Sequence, residues 1–274
     1  MKKILVIGAN SYIGQSFQQY VFSYNKENMT VKLVSASDGS WRQVDYSLYD
    51  VVLHLSGVVH RREKKGMKVL YDEVNHKMAV EVAKRAKESD VKQFVFMSTA
   101  AVFGSKAERI TTNTIPNPTT YYGKSKLAAE QDIVKLQGRE FKVAIVRPPL
   151  VYGQACKGNY PRLVKLAKLM PIFPDIHNKR SMIYIDTLSE FLLMLIEEEG
   201  CGYYHPQDED YVDTCELVVK IRKEMGKKTC LIGLFNPLAR LLAKNVGSIN
   251  KMFGDCYFER DLMNTCPIKN NTVE

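Results

Sequence analysis

The sequence predicts a doubly wound α/β fold: a parallel sheet with helices on both faces and a smaller C-terminal lobe. Three observations carry this. Short apolar runs alternate with longer segments of helical period, the first run ends in a glycine-rich turn, and Pro and Gly crowd the chain after Arg147-Pro148-Pro149. Apolar runs bounded by turn residues read as strands buried on both faces. Strands alternating with helices build β-α-β units, whose right-handed crossovers wind the sheet.

The elements follow in order. Residues 4–7 form the first strand, residues 13–22 a helix, residues 31–34 the second strand and residues 51–55 the third, entered through Tyr49-Asp50. Residues 67–89 keep helical period, 94–97 are a strand, 121–136 a helix and 142–146 a strand. Beyond them the pattern predicts a strand at 182–185, helices near 186–198 and 215–225, and an amphipathic stretch over 235–253. The sheet domain therefore occupies residues 1–150. A substrate lobe of interleaved pieces, with one strand returning to the sheet, occupies 151–274.

The 274 residues, 45% of them hydrophobic and 25% charged, suit one large domain, or one with an appended lobe, and exclude a disordered or fibrous chain. A net charge of +9 favours anionic partners, leaving phosphate ligands, nucleic acid and anionic lipid open. The densest basic cluster, Arg61, Arg62, Lys64 and Lys65, is interrupted by Glu63 and reads as a solvated face. No aromatic platform accompanies it, so a nucleic-acid partner is not expected. The six cysteines show neither C-x-x-C nor zinc-finger spacing and read as reduced thiols, with no metal site. The N-terminal apolar run is too short for a signal-peptide core. No stretch reaches the ~18 apolar residues of a membrane span. The expectation is a cytoplasmic protein without integral membrane contact. Residues 235–244 could lie on anionic lipid as an amphipathic segment, but a helix packed on the second lobe is the preferred reading.

The first strand runs into Gly8-Ala9-Asn10-Ser11-Tyr12-Ile13-Gly14 and then a helix. Backbone N–H groups and the dipole at a helix N-terminus bind pyrophosphate, and glycines permit the tight turn and close approach. Position after a strand and before a helix is the confirming context for a dinucleotide-binding, Rossmann-type turn. Gly8, Asn10, Ser11, Tyr12, Ile13 and Gly14 are its expected cofactor contacts. Tyr122 and Lys126 stand four residues apart on one helix face. A tyrosine with a pKa of about 10 is too weak a base at neutral pH, but a nearby ammonium favours its phenolate. Such a pair can work as an acid/base catalyst. Thr99, just past a strand's carboxyl end, faces the ligand crevice of an open sheet, in reach of the same substrate oxygen.

In this setting the chain resembles the extended short-chain dehydrogenases/reductases of the NAD-dependent epimerase/dehydratase family, which act on nucleotide sugars. The likeness runs nearly the whole length. It rests on the Gly8 loop, with Ser11 in place of a middle glycine, on His54-Leu55-Ser56-Gly57, and on Val74-Asn75. It continues through Ser98-Thr99, Val102-Phe103-Gly104, Tyr122-Gly123-x-Ser125-Lys126, Arg147-Pro148, Val151-Tyr152-Gly153 and Ile183-Tyr184-Ile185-Asp186. The resemblance implies a catalytic Thr99, Tyr122 and Lys126, with Ser98 as a neighbouring substrate contact. It implies cofactor contacts from Ser35, Leu55, Ser56, Gly57, Lys126 and Pro148, an adenine-side acid at Asp45, and a phosphate-binding Arg180. Asn159 and Arg162, in the basic loop that begins a helix, are further candidates for the substrate diphosphate. Asp186 reads as structural. A homodimer is implied by resemblance alone.

Ala100-Ala101 stand where the family's 4,6-dehydratases carry Asp and Glu, so water elimination is not expected. A 4-epimerase and a 4-keto reductase both remain, since each moves hydride at C4 of a UDP-linked hexose with the same three residues. The lobe is shorter than in the family's UDP-galactose 4-epimerases. This favours an amino or deoxy sugar of surface polysaccharide, and a reductase role. A non-catalytic NAD(P)-binding regulator is the alternative of another class; the retained Tyr122 and Lys126 argue against it. The cofactor is NAD or NADP. The second strand ends at Ser35 without the acid that binds a ribose 2′-hydroxyl, and Arg42 is close enough in sequence to meet a 2′-phosphate, which favours NADP.

Overall fold

The computed structural model describes residues 1–24, 28–59, 63–64, 66–156, 158–236 and 253–263. In chain order the first half contains β1 (Lys2–Ile7), α1 (Tyr12–Ser23), β2 (Met29–Val34), β3 (Val51–His54), α2 (Met67–Tyr71), α3 (Met78–Glu88) and β4 (Gln93–Met97). It continues with β5 (Arg109–Ile110), α4 (Tyr121–Val134), β6 (Lys142–Val146), β7 (Leu150–Tyr152) and α5 (Asn159–Leu169). The remainder is β8 (Ile172–Pro174), β9 (Met182–Tyr184), α6 (Ile185–Glu197), β10 (Gly202–Tyr204), α7 (Thr214–Glu224), β11 (Cys230–Ile232) and β12 (Tyr257–Phe258).

Six strands form one parallel sheet in the order β10-β6-β4-β3-β1-β2. Side chains alternate across it with the two-residue period of a strand. Leu5, Ile7, Val52, Phe94, Phe96, Val143 and Ile145 face α3 and α4 in one core. Ile4, Val6, Val51, Leu53, Val95, Ala144 and Val146 face α1 and α6 in the other. Burial on both faces is why these strands read as unbroken apolar runs. The doubly wound fold is the one the pattern predicts.

The chain beyond residue 150 divides in two. β10 joins the sheet beside β6, and α6 packs on the sheet through Leu188, Leu192 and Ile196. A separate core of Ala167, Phe173, Cys215, Val218 and Ile221 holds α5, α7, β8 and β11 together. The amphipathic stretch expected at 235–253 lies almost entirely outside the described residues. No described helix is long and apolar enough to cross a membrane.

Candidate active site

β1 lies between β2 and β3, so the connections leave it on both sides and a crevice opens at the strands' carboxyl ends. Gly8 closes β1 at φ +133°, and a Cβ there would stand 3.3 Å from Ser56 N. Glycine thus lets the end of β1 approach the Leu55-Ser56-Gly57 segment after β3. Ser11 N donates to Gly8 O at 2.8 Å, and Ser11 Oγ accepts from Gly14 N at 3.3 Å as the cap of α1. The serine that replaces a glycine is therefore a helix cap. Asn10 is exposed at the loop tip, while Tyr12 packs its ring inward, its hydroxyl buried beside Gly153. The first N–H groups of a helix lack intrahelical acceptors, so those of Tyr12 and Ile13 suit a diphosphate. The turn fits a dinucleotide.

β4 ends at Met97, and Thr99 caps the short turn Ala100–Phe103, its Oγ1 accepting from Ala101 N at 3.1 Å. The first turn of α4 lies directly on that turn. A Cβ on Gly123 would be 2.6 Å from Ala101 O and 2.9 Å from Pro118 Cβ. Only glycine permits this approach, which brings the Tyr122 hydroxyl to the Thr99 hydroxyl. One turn later Lys126 is buried. Its Nζ donates to Met97 O at 2.9 Å and to Ser56 O at 3.5 Å, and stands 4.5 Å from the Phe96 ring centroid. Thr99 and Tyr122 thus meet where β3, β4 and α4 converge, with Lys126 one helical turn further on, tied to the ends of β3 and β4.

The electrostatics differ from the simple pairing read in the sequence. Burial pushes the Tyr122 phenol up to about 12, with the Thr99 hydrogen bond pulling the other way. Burial also pushes the Lys126 ammonium down to about 7, against the attraction of Glu130. Low dielectric disfavours the charge of both groups.

Beneath them lies a buried ionic cluster. Arg147 Nε and Nη2 donate to the two oxygens of Glu130 at 3.1 and 2.6 Å, and Ser98 Oγ donates to the same carboxylate. Ser98 therefore turns into the core, and the expectation of a substrate contact there is corrected by its bond to Glu130. Pro148 is buried behind the site, its carbonyl accepting from Ala100 N at 2.9 Å. Asn75 fixes the loop after β3, accepting from Val58 N at 2.6 Å and donating to Ser125 Oγ at 3.2 Å. Glu63 accepts from the backbone N–H groups of Tyr121 and Tyr122, each at 3.0 Å. Sequence reasoning missed both glutamates. Glu130, one turn past Lys126 on the same face, carried a spacing signal. Glu63 carried none, since its partners stand 58 and 59 residues away.

Asp45 is exposed and caps its own turn, its Oδ1 accepting from Ser47 N at 3.0 Å and Ser47 Oγ at 2.6 Å. Ser35 Oγ accepts from Ser37 N at 3.3 Å. Arg42 is paired with Glu81 at 3.2 Å and stacked 4.2 Å over Trp41, so the cation expected at a 2′-phosphate is engaged on the α3 side. Arg180 is half-buried and its Nη1 donates to Gly254 O at 2.7 Å. Arg162 is exposed in the first turn of α5, which begins at Asn159.

The profile of the NAD dependent epimerase/dehydratase family matches residues 4–203. A UDP-glucose 4-epimerase of Vibrio cholerae is 28% identical over 83% of this chain and 77% of its own. An N-acetyl-alpha-D-glucosaminyl-diphospho-ditrans,octacis-undecaprenol 4-epimerase of Escherichia coli O157:H7 is 25% identical over 93% of this chain and 82% of its own. Among solved structures, a dTDP-4-dehydrorhamnose reductase of Clostridium acetobutylicum superposes with a TM-score of 0.71 at 22% identity, over 84% of this chain and 82% of that one. That superposition carries the fold; the profile match, over most of the sequence, carries the family. The chain belongs to the NAD dependent epimerase/dehydratase family.

Proposed function

We propose that this protein is an NAD(P)-dependent 4-epimerase of a diphosphate-linked amino hexose, a UDP-sugar in the first reading. The observation that carries the proposal is the convergence of Thr99, Tyr122 and Lys126 beside the glycine turn, with Ala100-Ala101 in place of the acids that elimination needs. Both curated relatives described above are named 4-epimerases, which favours epimerisation over net reduction.

A nicotinamide held at the crevice supplies the hydride acceptor and donor. The chain's residues move the proton. As the phenolate, the form that a positive charge bound beside it would favour, Tyr122 Oη takes it from the C4 hydroxyl, while Thr99 Oγ1 orients the same oxygen. The same Tyr122 returns it once the 4-ketone has turned its other face. Lys126, buried and with its pKa pushed down to about 7, responds with Tyr122 to charge placed beside them: an added positive charge lowers both pKa values, an anion raises them.

A polyprenol in place of uridine is the second reading. It is favoured by the E. coli relative, whose alignment spans 93% of this chain.

The test begins with the nucleotide released when fresh protein is denatured, followed by NMR of UDP-glucose and UDP-N-acetylglucosamine incubated with the protein alone. Retained NAD and conversion to the 4-epimer without added reductant are expected. An empty protein that consumes NADPH with a 4-keto sugar would replace this reading with a reductase.

A further inference from the structure

We propose that the face formed by the end of α5, β8 and β11 docks on anionic bilayers. Two segments build it, residues 163–174 and 225–236. They carry Lys165, Lys168, Lys227 and Lys228 and no Asp or Glu. The four lysines are exposed. The segments lie side by side: Cys230 N donates to Pro171 O at 2.9 Å, Cys230 is in parallel register with Ile172, and Lys227 Nζ reaches Lys168 O at 3.4 Å.

Exposed apolar side chains belong to the same two segments. Leu169 is 70% exposed, Leu234 83%, and Met170, Ile172 and Met225 are exposed as well. Five of the fifteen large hydrophobics exposed among the described residues thus fall in these two short segments. They are not strays from a poor core, because Ala167, Phe173, Val218 and Ile221 fill the interior beneath them.

The combination selects the partner. Nucleic acid would take the lysines and leave the leucines in water. A second copy of the same face would bring more lysines and no acid to pair them. An anionic bilayer meets both, with headgroups for the ammonium groups and an acyl boundary for the leucines. The 11 residues of α5 join this face to Asn159 and Arg162 over roughly 16 Å. On the polyprenol reading above, that geometry would present a lipid-held diphosphate to the site. The docking itself does not depend on that reading.

The experiment is co-sedimentation of the full chain with vesicles of phosphatidylcholine alone or mixed with phosphatidylglycerol. Melting temperature and nucleotide binding serve as controls for folding. Binding to the mixed vesicles only, weakened by salt, is expected. Lys168→Gln with Lys228→Gln should weaken it by roughly 30-fold, from about 1 kcal/mol per lysine near the surface. Leu169→Asp with Leu234→Asp should abolish it with nucleotide binding unchanged. The lysine pair keeps the test decisive if the leucine pair unfolds. Absence of vesicle binding at low salt, binding indifferent to the lysine pair, or a dimer that the leucine pair converts to monomer would each overturn the proposal. None of these readouts is turnover, so failure of the epimerase reading is seen separately.

Discussion

Tyr122 and Lys126 are each held away from their charged forms by the same burial, the phenol at about 12 and the ammonium at about 7. The chemistry proposed for Tyr122 makes its hydroxyl the one group that exchanges a proton with the sugar. Tyr122→Phe should therefore lower turnover by about 10²- to 10⁴-fold, the usual worth of general acid–base catalysis. Nucleotide affinity, followed by fluorescence titration, should stay within experimental error. A phenylalanine variant that turns over normally would remove Tyr122 from the mechanism. Glu130 acts at one remove. Its carboxylate is the partner of the buried Arg147 guanidinium and accepts from Ser98, next to Thr99. Glu130→Ala strands that guanidinium without a counter-charge, at a cost of about 3–5 kcal/mol. Urea unfolding should show the loss. Adding Arg147→Met should recover part of it, because the stranded charge is then gone.

The N-terminus of α4 shows the same logic at the scale of an element. Thr120 Oγ1 accepts from Gly123 N at 3.1 Å, and Glu63 brings a carboxylate from a distant loop to the two N–H groups before it, those of Tyr121 and Tyr122. An anion is favoured at this end of the helix dipole. Thr120→Ala should cost about 1 kcal/mol of stability. Glu63→Ala should lower kcat more than it changes KM, since it loosens the backbone that carries Tyr122. A pure fall in melting temperature with kcat intact would make Glu63 structural only. The strands that pattern could locate were those buried on both faces: the prediction at 142–146 coincides with β6, and those at 4–7 and 94–97 fall within β1 and β4. The helix read over 67–89 contains a π-helical stretch, Asp72–Lys77, that turns Asn75 inward. A single inserted residue leaves little trace in periodicity. The strands of two or three residues were mostly missed, because β7, β8, β10, β11 and β12 exist through pairings distant in sequence. In the site, residues on regular elements were readable from spacing. Ser98 was misplaced because its partner, Glu130, comes from a distant part of the chain.

The whole molecule carries its polar interior between two apolar layers, and this sets how it should respond to acid. His54 ends β3 inside the sheet, its ring 5.9 and 6.3 Å from those of Phe96 and Phe94, with neither ring nitrogen hydrogen-bonded. Burial, aided by the Lys126 charge, pushes its pKa down to about 3. His205, against Phe103 and Phe258, is pushed to about 3 by burial and by Arg147. An unfolded histidine takes up its proton near pH 6.5, so below that the unfolded chain binds protons that the folded one refuses. Stability is therefore lost as the pH falls from about 6.5 toward 3, by about 2 kcal/mol per histidine at pH 5. His76, between Asp72 and Asp132, works in the opposite direction: its pKa is raised, so its contribution is present in acid and fades as the pH rises. The net slope mixes these effects, and a substitution separates them. His54→Phe extends the stack of Phe94 and Phe96 and removes one refused proton. Unfolding free energies at about pH 7.5 and 5 should fall by about 2 kcal/mol less in this variant than in the natural chain. Parallel losses in the two proteins would mean that the folded chain accepts a proton at His54, and that the sheet interior there is open to water.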